Sequence, residues 1–159
     1  MSCEFFGPGS VVWNLQSPNK FDAIRETIHR TNVFSQINGL NLDTFASAVI
    51  NREKEQSTGF GHGIAISHGR DAAVAESCVA LGVSRHGIAF DSYDGQPVHL
   101  LFVVANHPEK HVDYLRILSS LAIVVRNEIF RREILSAICR EEVELKMGSA
   151  LRGVLARAV

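Results

Sequence analysis

Several things are missing from these 159 residues, and each absence closes off a class of protein. Cysteine is scarce: Cys3, Cys78 and Cys139 are odd in number and widely scattered, so they build neither a disulfide framework nor a CxxC metal pair. A reducing, cytoplasmic setting is expected. No long apolar run exists. Leu100 to Ala105 is the longest, far short of the roughly 20 residues needed to cross a bilayer, which predicts no direct membrane insertion. The N-terminus carries Glu4 where a signal peptide has basic residues. Charge of one sign is lacking too: 16 basic against 17 acidic residues leave −1, and no basic stripe is interleaved with aromatics. Nucleic acid is therefore not an expected partner. There is no internal repeat and no low-complexity segment. What remains is a chain expected to form a single domain over 1–159, large enough for a real core.

Periodicity then supplies the elements. Gly7-Pro8-Gly9 makes residues 1–10 irregular, and Val11 to Leu15 reads as a short strand or a packed arm. Asn19 caps a first helix, with Asp22 in its first turn and Phe21, Ile24 and Ile28 on one face. Gly39 breaks the chain. A second helix from about 41 to 52 buries Leu42, Phe45, Ala46, Val49 and Ile50. It leaves Arg52 at its C-terminus, where a cation is favoured. Gly69-Arg70-Asp71 predicts a turn, and the alanines that follow predict a short helix over 71–81. His86 to Asp91 reads as a strand and Asp94-Gly95 as a turn. Val98 to Ala105 is apolar almost throughout, as in a strand buried on both faces, with His99 an ordinary sheet histidine.

Pro108 is suited to the first turn of the next helix. Leu115, Leu118, Ala122 and Val125 form its inward stripe, and His111 shares that face. Asn127 caps a helix carrying Phe130, Ile134 and Ala137. Met147, Leu151, Val154 and Ala158 mark a C-terminal helix over 141–159, weakened by Gly148 and Gly153. Helices alternating with strands give the class α/β. The hairpin signal at Asp94-Gly95 makes the single β-sheet mixed, flanked by helices on both faces.

Chemistry concentrates between Arg52 and His68. Gly59, Gly61 and Gly63 alternate, then Ile64-Ala65-Ile66 takes up the two-residue period of a strand that delivers His68. Exposed backbone N–H groups beside a rigidly held side chain make a candidate anion or phosphoryl site. Histidine can act as a covalent nucleophile. It then needs a neutral nitrogen, a partner orienting the other nitrogen, and donors or positive charge for the incoming phosphoryl group. His68, the glycine loop, Arg52 and His111 together can meet those needs. The plainer alternative is a glycine-rich turn ending in a surface histidine. A metal site of His62, His68, His107 and His111 is a further alternative, from the i, i+4 spacing of 107 and 111. No cysteine or carboxylate stands in a ligand pattern with them, so neither metal nor cofactor is expected.

The run Arg52-Glu53, then Ser57-Thr58-Gly59-x-Gly61-x-Gly63-Ile64-Ala65-Ile66-x-His68, resembles the signature of enzyme IIA domains of the phosphoenolpyruvate-dependent phosphotransferase system. The match is to the fructose/mannitol type and its nitrogen-regulatory (PtsN-like) relatives. Asn19-Lys20, Gly87-Ile88, Pro97 to Ala105, and Pro108 to Leu118 with His111 follow in the same order, so the likeness covers roughly 11–145. It implies a mixed sheet flanked by helices and a cytoplasmic phosphocarrier fed by the phosphohistidine of HPr or its nitrogen-branch counterpart. His68 aligns with the phosphorylated histidine, His111 with the second active-site histidine, and Arg52 with the motif arginine. Thr58, Gly59, Gly61, Gly63 and Ser67 are the expected phosphoryl-binding positions. A sugar-type member passes phosphate to a IIB domain; a nitrogen-type member uses its phosphorylation state to choose regulatory partners. One departure stands out. The family usually has proline before the active histidine, and here Ser67 restores a donor and adds a hydroxyl. That hydroxyl either contacts the phosphoryl group or alters the placement of the histidine. It also leaves a second functional reading open: a regulatory binding module that keeps the fold while phosphorylation is weak or lost.

Overall fold

The computed structural model describes residues 5–157. Five strands are present: β1 (Val11–Trp13), β2 (Gly59–Gly61), β3 (Ile64–Arg70), β4 (Cys78–Ile88) and β5 (Val98–Asn106). They form one sheet in the order β1-β4-β5-β3-β2. β1 runs parallel to β4 and β3 parallel to β5, whereas β4–β5 and β2–β3 are antiparallel. The sheet is therefore mixed, as the Asp94-Gly95 turn between β4 and β5 requires.

Six helices cover it: α1 (Lys20–Arg30), α2 (Asn32–Ser35), α3 (Leu42–Glu55), α4 (His111–Val125), α5 (Glu128–Leu135) and α6 (Arg140–Arg157). On one face Ile24 and Ile28 of α1, Phe34 of α2, and Phe45 and Val49 of α3 pack on Ala65, Ala80, Leu101 and Val103. On the other, Ile117 and Leu121 of α4, Ile134 of α5 and Val143, Met147 and Leu151 of α6 pack on Ile66, Leu81, Phe102 and Val104. β5 is apolar on both faces because both faces are covered, and none of its residues from Leu100 to Asn106 reaches solvent appreciably. Asn19, Asn41 and Asn127 cap α1, α3 and α5 by accepting a backbone N–H three residues on, as their side chains allow. Among the described residues no helix is long and apolar enough to cross a membrane.

Three local expectations fail, each for a physical reason. No helix forms over 71–81. Asp71 instead closes a turn by accepting from Ala73 N, and β4 starts at Cys78. Val79, Leu81 and Val83 point into one core and Cys78 and Ala80 into the other, so burial on both faces overrides the helical preference of alanine. The turn expected at Gly69-Arg70 is still strand, because both residues pair with β5 at Ala105 and Asn106. Pro108 lies in a turn ahead of α4, closed by Lys110 N–H on the His107 carbonyl, and the helix begins at His111. Ala158 lies outside the described residues.

Candidate functional site

The site is built on β3. Strand alternation divides its side chains: Ala65, Ser67 and Gly69 face α3, while Ile66, His68 and Arg70 face α4. Gly69 lets α3 lie close, since an added Cβ would come within 2.7 Å of Val49 Cγ2 and 2.9 Å of Phe45 Cε1. On the opposite face, the half-buried His68 ring packs against Tyr114 of α4 with centroids 4.6 Å apart. Tyr114 Oη lies 3.2 Å from His68 Nδ1. Nε2 has no hydrogen-bond partner among the described residues. His111, exposed at the start of α4, holds its ring 6.3 Å from that of Tyr114. The three aromatic rings thus follow one another from the strand to the helix tip.

Electrostatics keep this imidazole neutral. Burial first, then the positive charges of Arg52 and Arg70, push the His68 pKa down from 6.5 to about 4. The same burial raises the Tyr114 phenol above its ordinary value against the pull of the two arginines, so the hydroxyl keeps its proton. Arg52 lies in the last turn of α3 and donates from Nη1 to the Gln56 carbonyl at 3.1 Å. A neutral imidazole with one nitrogen hydrogen-bonded, the other unpartnered, and two guanidinium groups in range is a nucleophile waiting for an anionic electrophile.

The remaining expected positions are dispersed. Gly61 and Gly63 turn the β2–β3 hairpin, with His62 between them, all three at positive φ (90°, 57° and 79°). This is the opposite end of β3 from His68; five residue steps of strand, roughly 16 Å, separate Gly63 from it. The space these glycines open is filled from the neighbouring turn. A Cβ on Gly59 would meet Ser92 Cα at 2.8 Å, and one on Gly61 would meet the Tyr93 ring at 2.7 Å. The glycine run is thus a hairpin packed under residues 92–93, and no anion cradle forms beside His68. Ser67 is buried on the α3 face, with Oγ 2.9 Å from Thr58 Oγ1, so its hydroxyl does not contact a group held on the His68 ring. His111 is not on an inward stripe: Leu115 is half exposed, and the buried positions are Ile117, Leu121, Val124 and Val125. His62 lies at the hairpin and His107 ahead of α4, and no three metal-ligating side chains gather among the described residues. His99 sits in the sheet with Nδ1 2.8 Å from the Ser84 carbonyl.

Two members of the site escaped sequence reasoning. Arg70 stands two residues beyond His68, which on a strand means the same face; ending the strand at His68 hid it. Tyr114 follows His111 by three residues, one helical turn, and an inward stripe drawn through Leu115 passes it by.

Such an architecture defines a class: a mixed α/β sheet that holds a neutral, half-buried histidine within range of two arginine charges. The profile of the family described as "Phosphoenolpyruvate-dependent sugar phosphotransferase system, EIIA 2" matches residues 4–145, and the chain belongs to that family. It is 34% identical over 128 residues to the "PTS system fructose-specific EIIABC component" of Bacillus subtilis, of which it covers 20%. It is 36% identical over 102 residues to the "PTS system fructose-specific EIIA component" of Haloferax volcanii, covering 64% of this chain and 66% of that protein. With the "Nitrogen regulatory protein" of Klebsiella oxytoca it shares 35% over 106 residues, covering 66% of this chain and 65% of that protein. The chain thus spans a fifth of the first of these relatives and about two thirds of the other two. Among solved structures, the nitrogen regulatory protein IIA-Ntr of Neisseria meningitidis superposes with a TM-score of 0.80 at 27% identity, covering 91% of this chain and 97% of that one. The IIA mannitol structure of Escherichia coli gives 0.72 at 19% identity, covering 89% and 98%, a likeness of fold.

Proposed function

We propose that this chain is a phosphocarrier that takes a phosphoryl group onto His68 from the phosphohistidine of a small HPr-like protein. It then passes the group to a IIB domain, or uses it to change which regulatory proteins it binds. The observation that carries this reading is the neutral, half-buried imidazole whose Nδ1 meets the Tyr114 hydroxyl and whose other nitrogen has no partner among the described residues. In the step proposed, His68 carries its proton on Nδ1 and donates it to Tyr114 Oη, so the lone pair is on Nε2. Nε2 forms the new N–P bond as the N–P bond of the donor breaks. The donor ring, protonated on its other nitrogen, leaves with that bond pair as neutral imidazole, and the positive charge it carried passes to the His68 ring next to an accepting hydroxyl oxygen. Arg52 and Arg70 face the phosphoryl oxygens, where charge is spread in the transition state. One N–P bond replaces another, so no cofactor or metal is needed. A cytoplasmic location accompanies the reading, since its donor is part of the same relay.

The branch is open between two classes of relative: fructose-specific components and nitrogen regulatory proteins stand at similar identity. Incubation with enzyme I, HPr-like carrier and phosphoenolpyruvate is expected to give acid-labile, alkali-stable phosphate on the wild-type chain. His68→Ala is expected to carry none while keeping the wild-type circular dichroism. An unlabelled wild type, or a labelled His68→Ala, defeats the proposal. Adding a fructose-type IIB domain to the labelled protein then separates the branches: onward transfer marks the sugar type, retention the regulatory one.

A further inference from the structure

Glu53 is a buried carboxylate with no part in the transfer just described. Its side chain is inaccessible to solvent, although it follows Arg52 directly in the last turn of α3. Burial of a charged carboxylate is tolerable only with full pairing, and the pairing here is specific. The Thr58 N–H lies 3.0 Å from both oxygens, and the Thr58 hydroxyl donates to Oε1. Lys20 Nζ sits 3.4 Å from Oε2 and 3.2 Å from the Asp91 carboxylate. The chain of bonds continues inward. Thr58 Oγ1 is 2.9 Å from Ser67 Oγ. Because the Thr58 hydrogen is committed to Glu53, Ser67 is the donor in that bond. Ser67 is the residue before His68.

We propose that Glu53, Thr58 and Ser67 form a positioning relay that fixes the end of α3, bearing Arg52, against the part of β3 that bears His68. The sheet does not do this by itself. β2 pairs with β3 at Gly59–Ala65 and Gly61–Ile64, and the last bond is Ile66 N–H on the Thr58 carbonyl. Beyond Ile66, the β2 side of β3 has no strand partner among the described residues, just where His68 begins. Val49 and Phe45 pack on Gly69, but apolar contacts tolerate sliding, whereas hydrogen bonds between a helix end and a strand fix register. Ser67 is thus a positioning residue, acting from the opposite face of the strand to the imidazole. Glu53 references both functional groups to one point: Arg52 through the peptide bond, His68 through Thr58 and Ser67.

The relay matters to function through the reading of His68 as phosphoryl acceptor, yet its geometry has a readout free of that reading. The charge of Arg52 contributes to the depressed His68 pKa, and that contribution weakens with distance. Thr58→Val removes the bridging hydroxyl at nearly constant shape, and Thr58→Ser keeps it. In Thr58→Val the His68 pKa, followed by NMR of the ring protons, is expected to rise from about 4 toward 6.5. Phosphate uptake is expected to slow about tenfold, in keeping with the sensitivity of transfer to sub-ångström misplacement. Thr58→Ser is expected to restore both values, and Ser67→Ala to move both in the same direction by less. The double variant Thr58→Val/Ser67→Ala should match Thr58→Val alone, since both cut one chain of bonds. The relay is refuted if Thr58→Val lowers thermal stability while the folded protein keeps the wild-type His68 pKa and uptake rate. A wild type that takes up no phosphate overturns the function proposed above, while the pKa series still decides the relay.

Discussion

His68 is set apart from the other histidines by what lies on its two sides. The ring is half buried against Tyr114, and two guanidinium groups add repulsion to the imidazolium form. Removing either charge relaxes one of those causes. The His68 pKa is therefore expected to rise in Arg52→Ala and, by less, in Arg70→Ala, while burial holds it below 6.5 in both. An unmoved titration in both variants would mean that the arginines do not face the ring. Tyr114→Phe deletes the acceptor for Nδ1–H and frees the choice of tautomer. A lost hydrogen bond of about 1.4 kcal/mol in the transition state corresponds to roughly tenfold in rate, so phosphate uptake by Tyr114→Phe is expected to slow by about that factor. A rate equal to wild type would remove the phenol from the proposed step. At this scale the sequence offered a candidate where a motif held the residue, as for His68 and Arg52. It was illegible where membership depends on knowing how far a strand runs, as for Arg70, or how a helix is rolled, as for Tyr114.

The elements explain why those two were hidden. α4 is apolar enough that several stripes can be drawn along it, and packing chose the one through Ile117, Leu121 and Val124. That choice leaves Val112 77% exposed and Leu115 49% exposed, and brings His111 out with them at the helix tip. An exposed ring contributes little to stability, so His111→Ala is expected to shift unfolding free energy within about 0.5 kcal/mol while slowing phosphate uptake. A variant that melts early but accepts phosphate normally would show that His111 supports the helix and not the chemistry. β3 makes the opposite demand. Gly69→Ala drives a methyl into Val49 and Phe45, an overpacking expected to cost about 1–3 kcal/mol and readable as a lowered Tm. Caps were legible at Asn19 and Asn127 because asparagine side chains announce themselves locally, and the structure adds a third at Asn41. β4 was not, because its alanine and valine pattern favours either structure, and only the two cores it divides decide the matter.

For the whole molecule, the mixed sheet covered on both faces followed from two readable facts: a strand apolar almost throughout, β5, and a hairpin turn before it. What could not be read is how the fold spends stability to hold its histidine uncharged. Unfolded, His68 titrates near 6.5; folded, near 4. Between those values the unfolded chain binds more protons, so this residue makes stability rise with pH across the window. Above it the effect vanishes, and below it the penalty is at its full, constant size. His29 acts with the opposite sign: the Arg25 carbonyl and Asp43 raise its pKa, giving stability below 6.5 that is lost as pH climbs through the folded value. The two cancel in part in the wild-type profile, and subtraction separates them. In urea unfolding from pH 8 to pH 4, His68→Gln is expected to gain stability relative to wild type steadily as pH falls below 6.5, with no relative change above pH 7. His29→Gln is expected to lose relative stability earlier, as pH falls through the raised folded value toward 6.5, and to keep a constant deficit below it. Parallel curves for wild type and His68→Gln would mean that the imidazole titrates alike in both states, and that the fold does not keep this nitrogen free of protons for an incoming phosphoryl group.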